Sequence, residues 1–97
     1  MKLLICDDQA IVRDGLAMML GMEDDIDVVA QAEDGEEAIV FTEKHKPDLI
    51  LMDLNMPIMN GVEATRRIKK QWPEIPNLVL TTYDADEWVF DALRAGA

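Results

Sequence analysis

Positive charge is scarce in this chain: 9 Lys and Arg stand against 20 Asp and Glu, a net charge of −11 over 97 residues. Such a surface repels phosphate backbones, so direct nucleic-acid binding by this piece is not expected. Cysteine is almost absent as well. With Cys6 as its one cysteine the chain can form no internal disulfide, which fits a reducing, cytoplasmic setting. Cys6 closes an apolar run and reads as a small buried residue. No apolar stretch approaches the roughly 20 residues that span a bilayer. The run Met1–Cys6 meets Asp7 and Asp8 at once, too short for a secretory signal. What is plentiful is apolar side chain, 49% of the total, so an ordered globule is expected, and this length suggests one domain.

Short apolar runs alternate with helical patterns. Leu3–Cys6 reads as a strand buried on both faces. Val12, Leu16, Met19 and Leu20 then fall on one helical face, with Gly21 as a stop. Met18, Met19 and Met22 read as core filling. Residues 26–32 form a second strand. Asp34-Gly35 marks a turn. Ala38, Phe41, Thr42 and His45 recur at helical spacing until Pro47, with His45 a partly solvated surface residue. Leu49–Met52 is the third strand and the most apolar run.

Residues 55–61, with Pro57 and Gly61, form a loop. Val62, Thr65, Ile68 and Trp72 share a helical face that ends by Pro73 and Pro76. Arg66, Arg67, Lys69 and Lys70 on this helix read as a solvated basic face. Leu78–Leu80 is a fourth strand. Residues 84–95 read as a last helix, with Val89, Ala92 and Leu93 inward. Trp72 and Trp88 suit either core packing or an interface. No repeat or linker interrupts the order, which implies parallel strands with helices on both sheet faces.

Ligands in such folds sit at the carboxyl ends of the strands. Asp7 and Asp8 follow the first strand and Asp53 follows the third. If those strands are neighbours, the three carboxylates crowd one pocket. Crowded carboxylates repel and their pKa values rise unless a cation enters. Magnesium suits a site with few carboxylates and several waters. The plain alternative is that each Asp caps the next helix. Thr81 and Thr82 follow the fourth strand on the same edge, where a hydroxyl can donate to a phosphoryl oxygen. Strand-end β-propensity explains either Thr equally well.

Asp7-Asp8 after a short strand, the run Leu51-Met52-Asp53-Leu54-Asn55-Met56-Pro57 with Gly61, and Leu80-Thr81-Thr82 together resemble a response-regulator receiver domain of bacterial two-component systems. The resemblance covers the whole chain in one register. Asp27-Val28-Val29 and residues 92–97 are most similar to receivers that precede a LuxR/NarL-type helix-turn-helix domain. The resemblance implies a flavodoxin-like, doubly wound α/β fold with sheet order 2-1-3-4. It also implies residue roles. Asp53 would accept a phosphoryl group from a sensor histidine kinase. Asp8, Asp53 and the main-chain carbonyl of Asn55 would bind Mg2+, with Asp7 holding the ion through water. Thr81 would be the switch hydroxyl. The Asn55 side chain and Tyr83 would tune the lifetime of the aspartyl phosphate. Such a module catalyses its own phosphorylation and dephosphorylation without being a turnover enzyme.

The family pattern continues into a fifth strand that ends in a lysine, and a fifth helix. Neither has a counterpart here, and none of Lys2, Lys44, Lys46, Lys69 or Lys70 matches that lysine. The expectation is a C-terminally incomplete receiver over residues 1–97, with a DNA-binding effector domain only in a longer parent. An open fourth strand leads to expected homodimerisation, element swapping or instability, and to slow or absent phosphorylation. Two other functions compete. A haloacid-dehalogenase-type hydrolase needs a second aspartate where Asn55 stands. A pseudo-receiver used only for binding would need no intact acidic pocket.

Overall fold

The computed structural model describes residues 1–80. Thr81, Thr82, Tyr83, Trp88 and the expected last helix lie outside the described residues. The elements alternate as β1 (Lys2–Cys6), α1 (Ala10–Gly21), β2 (Asp27–Ala32), α2 (Gly35–His45), β3 (Leu49–Asp53), α3 (Gly61–Gln71) and β4 (Asn77–Leu80). The sheet order is β2-β1-β3-β4, and every pairing is parallel. This is the flavodoxin-like arrangement that the family resemblance implies.

The period of two along each strand divides the core into two faces. Leu4, Cys6, Ile50 and Met52 join Ala38 of α2 and Ala64, Ile68 and Trp72 at α3. Leu3, Ile5, Leu49 and Leu51 join Leu20, Leu16 and Ala17 of α1. All of β3 is buried, as a strand covered on both sides must be. In β2 the register with β1 skips Val29 between Leu3 and Leu4. The bulge keeps Val28 on the α1 face and Ala30 on the α2–α3 face.

Helix ends carry their own chemistry. The Asp34 carboxylate accepts from the Glu37 N–H at 2.9 Å, and Glu37 in turn accepts from the Glu33 N–H at 2.9 Å. Asn60 accepts from the Glu63 N–H at 3.0 Å. These pairs satisfy N–H groups that have no partner within the helix. α2 stops at Lys46, which is left-handed with φ 47° and holds its ammonium 4.7 Å above the Trp72 ring.

Some expectations fail on helix faces. Met18, Met19 and Met22 are 74%, 45% and 79% exposed and do not fill the core. Met18 lies about 200° around the helix from both Leu16 and Leu20, which are the residues that meet the sheet, and Met22 follows the end of α1. Val62 is 51% exposed, and the inward face of α3 is instead Gly61, Ala64 and Ile68. Ile26 precedes β2 in a turn, its N–H donating to the Glu23 carbonyl at 3.2 Å. Asp53 is the last residue of β3, not the first residue beyond it. Gly61 opens α3, although it reads as loop in the sequence. Cys6 is buried as expected, and burial pushes its thiol far above the usual range.

Candidate functional site

Parallel register builds the site. β1 lies between β2 and β3, with Cys6 level with both Ala32 and Met52. One residue further on, Asp7 therefore stands level with Asp53 on the neighbouring strand. Asp7 continues the ladder by donating its N–H to the Ala32 carbonyl at 3.0 Å. One carboxylate oxygen each from Asp7, Asp8 and Asp53 lies within 4.8 Å of the other two. The structure thus brings together the three acidic residues singled out in the sequence.

Their surroundings differ. Asp53 is 1% exposed and Asp7 5% exposed, whereas Asp8 faces solvent. The N–H of Asn55 donates to Asp53 Oδ1 at 3.3 Å. Asp53 Oδ2 is buried without a hydrogen-bond partner. Asp7 Oδ1 accepts from the Gln9 N–H at 2.9 Å. Asp8 does not stand at the helix cap: the residue capping α1 is Gln9, and it makes no side-chain cap. Arg13 reaches back from α1 to donate to the Asp7 main-chain carbonyl at 2.6 Å, pinning the turn that carries both aspartates.

Burial pushes the Asp53 carboxyl above the usual carboxylate range, and Asp7 and Asp8 add to it; the N–H groups of Asn55 and Leu54 pull the other way. Burial likewise raises Asp7, helped by Asp8 and opposed by the Gln9 N–H and Arg13. A buried carboxylate oxygen with no donor loses its hydration and gains nothing in return. A cluster of hard oxygen donors with one orphaned atom is suited to a small divalent cation or to a reacting electrophile.

The β3–α3 loop is anchored to the strand end that carries Asp53. Gly61 packs its bare Cα on the end of β3, where a Cβ would come within 2.8 Å of the Asp53 carbonyl carbon and closer still to its oxygen. Its N–H donates to the Leu54 carbonyl at 3.1 Å. Gly35 at the start of α2 donates to the Met59 carbonyl at 2.9 Å. Neither close approach was legible in the sequence beyond the presence of the glycines, and Arg13 carried no signal at all. Asn55 lies beside the cluster, while Thr81 and Tyr83 fall outside the described residues.

The sequence matches the family model described as the response regulator receiver domain over residues 3–97. The chain belongs to the response-regulator receiver family. This receiver is 47% identical to the oxygen regulatory protein NreC of Staphylococcus haemolyticus over 98 residues, covering 100% of the chain and 45% of that protein. It is 45% identical to the transcriptional regulatory protein DegU of Brevibacillus brevis over 96 residues, covering 99% of the chain and 41% of DegU. The receiver thus spans less than half the length of these curated relatives.

Among solved structures, the response regulator domain of Thermotoga maritima CheB superposes with a TM-score of 0.81 at 34% identity, covering 100% of this chain and 73% of that one. CheY of Borrelia burgdorferi, in a complex with CheX, BeF3− and magnesium, gives 0.81 at 26% identity, covering 99% of this receiver and 72% of that chain. Among the described residues, no helix of the receiver is long and apolar enough to cross a membrane.

Proposed function

We propose that this receiver is a phosphorylation-controlled switch in which Asp53 accepts a phosphoryl group from a sensor histidine kinase. One observation carries the reading: Asp53 Oδ2 is buried, unpartnered and gathered with Asp7 and Asp8 at one strand edge. An oxygen without a hydrogen-bond donor keeps its lone pairs for attack. Asp53 Oδ2 would bond to phosphorus as the bond from phosphorus to the kinase imidazole nitrogen breaks. The electron pair stays with the imidazole, and Asp53 becomes an acyl phosphate.

The all-oxygen donor set fits Mg2+, with Asp8, Asp53 and the Asn55 main-chain carbonyl as ligands and Asp7 acting through water. Bound there, the ion would offset charge repulsion between carboxylate and phosphoryl oxygens. The Asn55 N–H holds Asp53 Oδ1 and so fixes which oxygen faces the donor. Thr81 would turn toward the new phosphoryl group. Asn55 and Tyr83 would set how fast it is lost. A phosphorylated side chain adds about −1.5 to −2 charge, enough to bias a two-state equilibrium.

The reading extends to the setting. The switch is cytoplasmic, it is not a turnover enzyme, and it acts as a homodimer or element-swapped assembly. Its output is transcription, through a helix-turn-helix domain in a longer parent protein. NreC and DegU, its relatives, are regulatory proteins by name, which supports that output.

Titration with Mg2+, with and without beryllofluoride as a phosphoryl mimic, tests the reading by tryptophan fluorescence or NMR shifts. The unaltered chain should respond to Mg2+ and respond further to the mimic. A response equal to that of an Asp53→Asn control would sink it in favour of a binding-only module.

A further inference from the structure

The loop between β3 and α3 carries a residue held against its preferences. Ile58 has a φ of +67°, and the Met59 N–H donates across it to the Pro57 carbonyl at 2.7 Å. A bond from residue i+2 to residue i around a positive φ is the rare, strained form of γ-turn. A β-branched side chain suits that backbone poorly, because its two Cβ branches crowd the flanking main chain. Glycine or asparagine would sit there with less strain.

The turn cannot relax by moving its flanks. Before it, the Leu54 carbonyl accepts from the Gly61 N–H at 3.1 Å, which ties the two ends of the loop together, and the Gly61 Cα packs on Asp53. After it, Gly35 holds the Met59 carbonyl at 2.9 Å, and a Cβ at Gly35 would lie 2.8 Å from the Met59 Cβ. Both flanks being fixed, the strain stays at Ile58. Burial does not compensate for it, since Ile58 is 76% exposed. An isoleucine here is unfavourable on both counts for the chain by itself, and it stands five residues after Asp53.

Resting on the reading of Asp53 as phosphoacceptor, we infer that Ile58 is a specificity-determining contact for the protein that delivers the phosphoryl group. The strained turn presents it as an exposed aliphatic knob in the loop that leaves Asp53, to seat in an apolar recess of the donor. The partner's chemistry follows from the surroundings. It has an apolar recess for Ile58, flanked by neutral or basic groups that tolerate Asp7, Asp8 and Asp53. A small phosphodonor offers no such recess and gains nothing from the side chain. Seating one exposed Ile removes enough apolar surface to change affinity by about tenfold.

The test compares Ile58→Gly, Ile58→Asn and Ile58→Val with the unaltered chain. The probe is the cytoplasmic portion of a sensor histidine kinase from the source genome, selected because it binds the unaltered chain in titration calorimetry. Gly and Asn should weaken kinase binding about tenfold or more, and Val should keep it within about threefold. All three should melt no lower than the parent and keep its Mg2+ and beryllofluoride response. Kinase affinity unchanged in Gly and Asn overturns the inference. So does a parallel loss of the Mg2+ response, which would make Ile58 a support of the pocket and not a contact. If the unaltered chain shows no Asp53-dependent response and no kinase binds it, the phosphoacceptor reading fails and the role of Ile58 falls with it.

Discussion

The Cα of Gly61 rests against the main-chain carbonyl of Asp53, so the first residue of α3 touches the last residue of β3 with no space for a side chain. The contact explains why the loop between them is held at both ends. It also ties the geometry of the acidic pocket to a residue that carries no chemistry.

Gly61→Ala should therefore be costly. The added methyl meets three backbone atoms of one peptide unit, the Asp53 carbonyl carbon and oxygen and the Leu54 Cα, and backbone cannot swing aside as a flexible side chain would. A loss of about 2–3 kcal/mol in urea unfolding is expected. The Mg2+ response should weaken as well, because relief requires Asp53 or Leu54 to move. An unchanged unfolding midpoint would show that the loop yields freely.

The raised carboxyls of Asp53 and Asp7 give the metal-free chain a defined pH dependence. Both groups have an ordinary pKa of 3.8 and are pushed above it in the folded state, by burial first. The folded chain then holds more protons than the unfolded chain from pH 3.8 up through the raised values. These two groups therefore make stability fall as pH rises through that window, the reverse of a salt-bridged carboxylate. At neutral pH, with chelator present, Asp53→Asn should unfold at higher urea by an amount worth about 1–2 kcal/mol. Saturating Mg2+ should narrow the gap, because it stabilises the parent through the same carboxylates. A metal-free Asp53→Asn variant less stable than the parent at pH 7 would contradict this account.

Asp34 is a further point of leverage, since it is 8% exposed and starts α2 while Gly35 next to it anchors the β3–α3 loop. Asp34→Ala removes the acceptor of the Glu37 N–H. The expected cost is about 1–2 kcal/mol in thermal or denaturant unfolding, the usual cost of losing an N-cap. Asp34→Ser should recover most of it. Equal stability of the Ala and Ser variants would mean that the Glu37–Glu33 bond alone holds the helix start.

The acidic pocket was legible because apolar runs fix which segments are strands, and parallel strands place their carboxyl ends on one edge. Asp7, Asp8 and Asp53 then meet without any detail of side-chain packing. The all-parallel order followed from the same alternation. What stayed hidden depends on close packing between distant segments. The bulge at Val29, the left-handed backbone at Ile58 and Lys46, and the tight approaches of Gly35 and Gly61 are set by the elements that press on them. Helix faces were half legible. Leu16 and Leu20 were placed correctly, but methionine is apolar enough to be counted as core wherever it falls, and α1 is apolar on both sides.

That ambiguity in α1 yields a sharp contrast between neighbouring residues. Leu20 is 6% exposed and packs with Leu3, Ile5 and Leu51, whereas Met18 is 74% exposed two positions earlier. Leu20→Ala should cost about 2–4 kcal/mol, combining lost burial with a cavity that the sheet cannot close. Met18→Ala leaves no cavity and keeps helix propensity, so its effect should lie within about 0.5 kcal/mol of zero. Urea unfolding of both single variants at two chain concentrations decides the matter. A cost for Met18→Ala approaching that for Leu20→Ala, and growing with chain concentration, would mean that Met18 is buried between copies of the chain. The same cost without any dependence on chain concentration would mean that α1 turns Met18 toward the sheet.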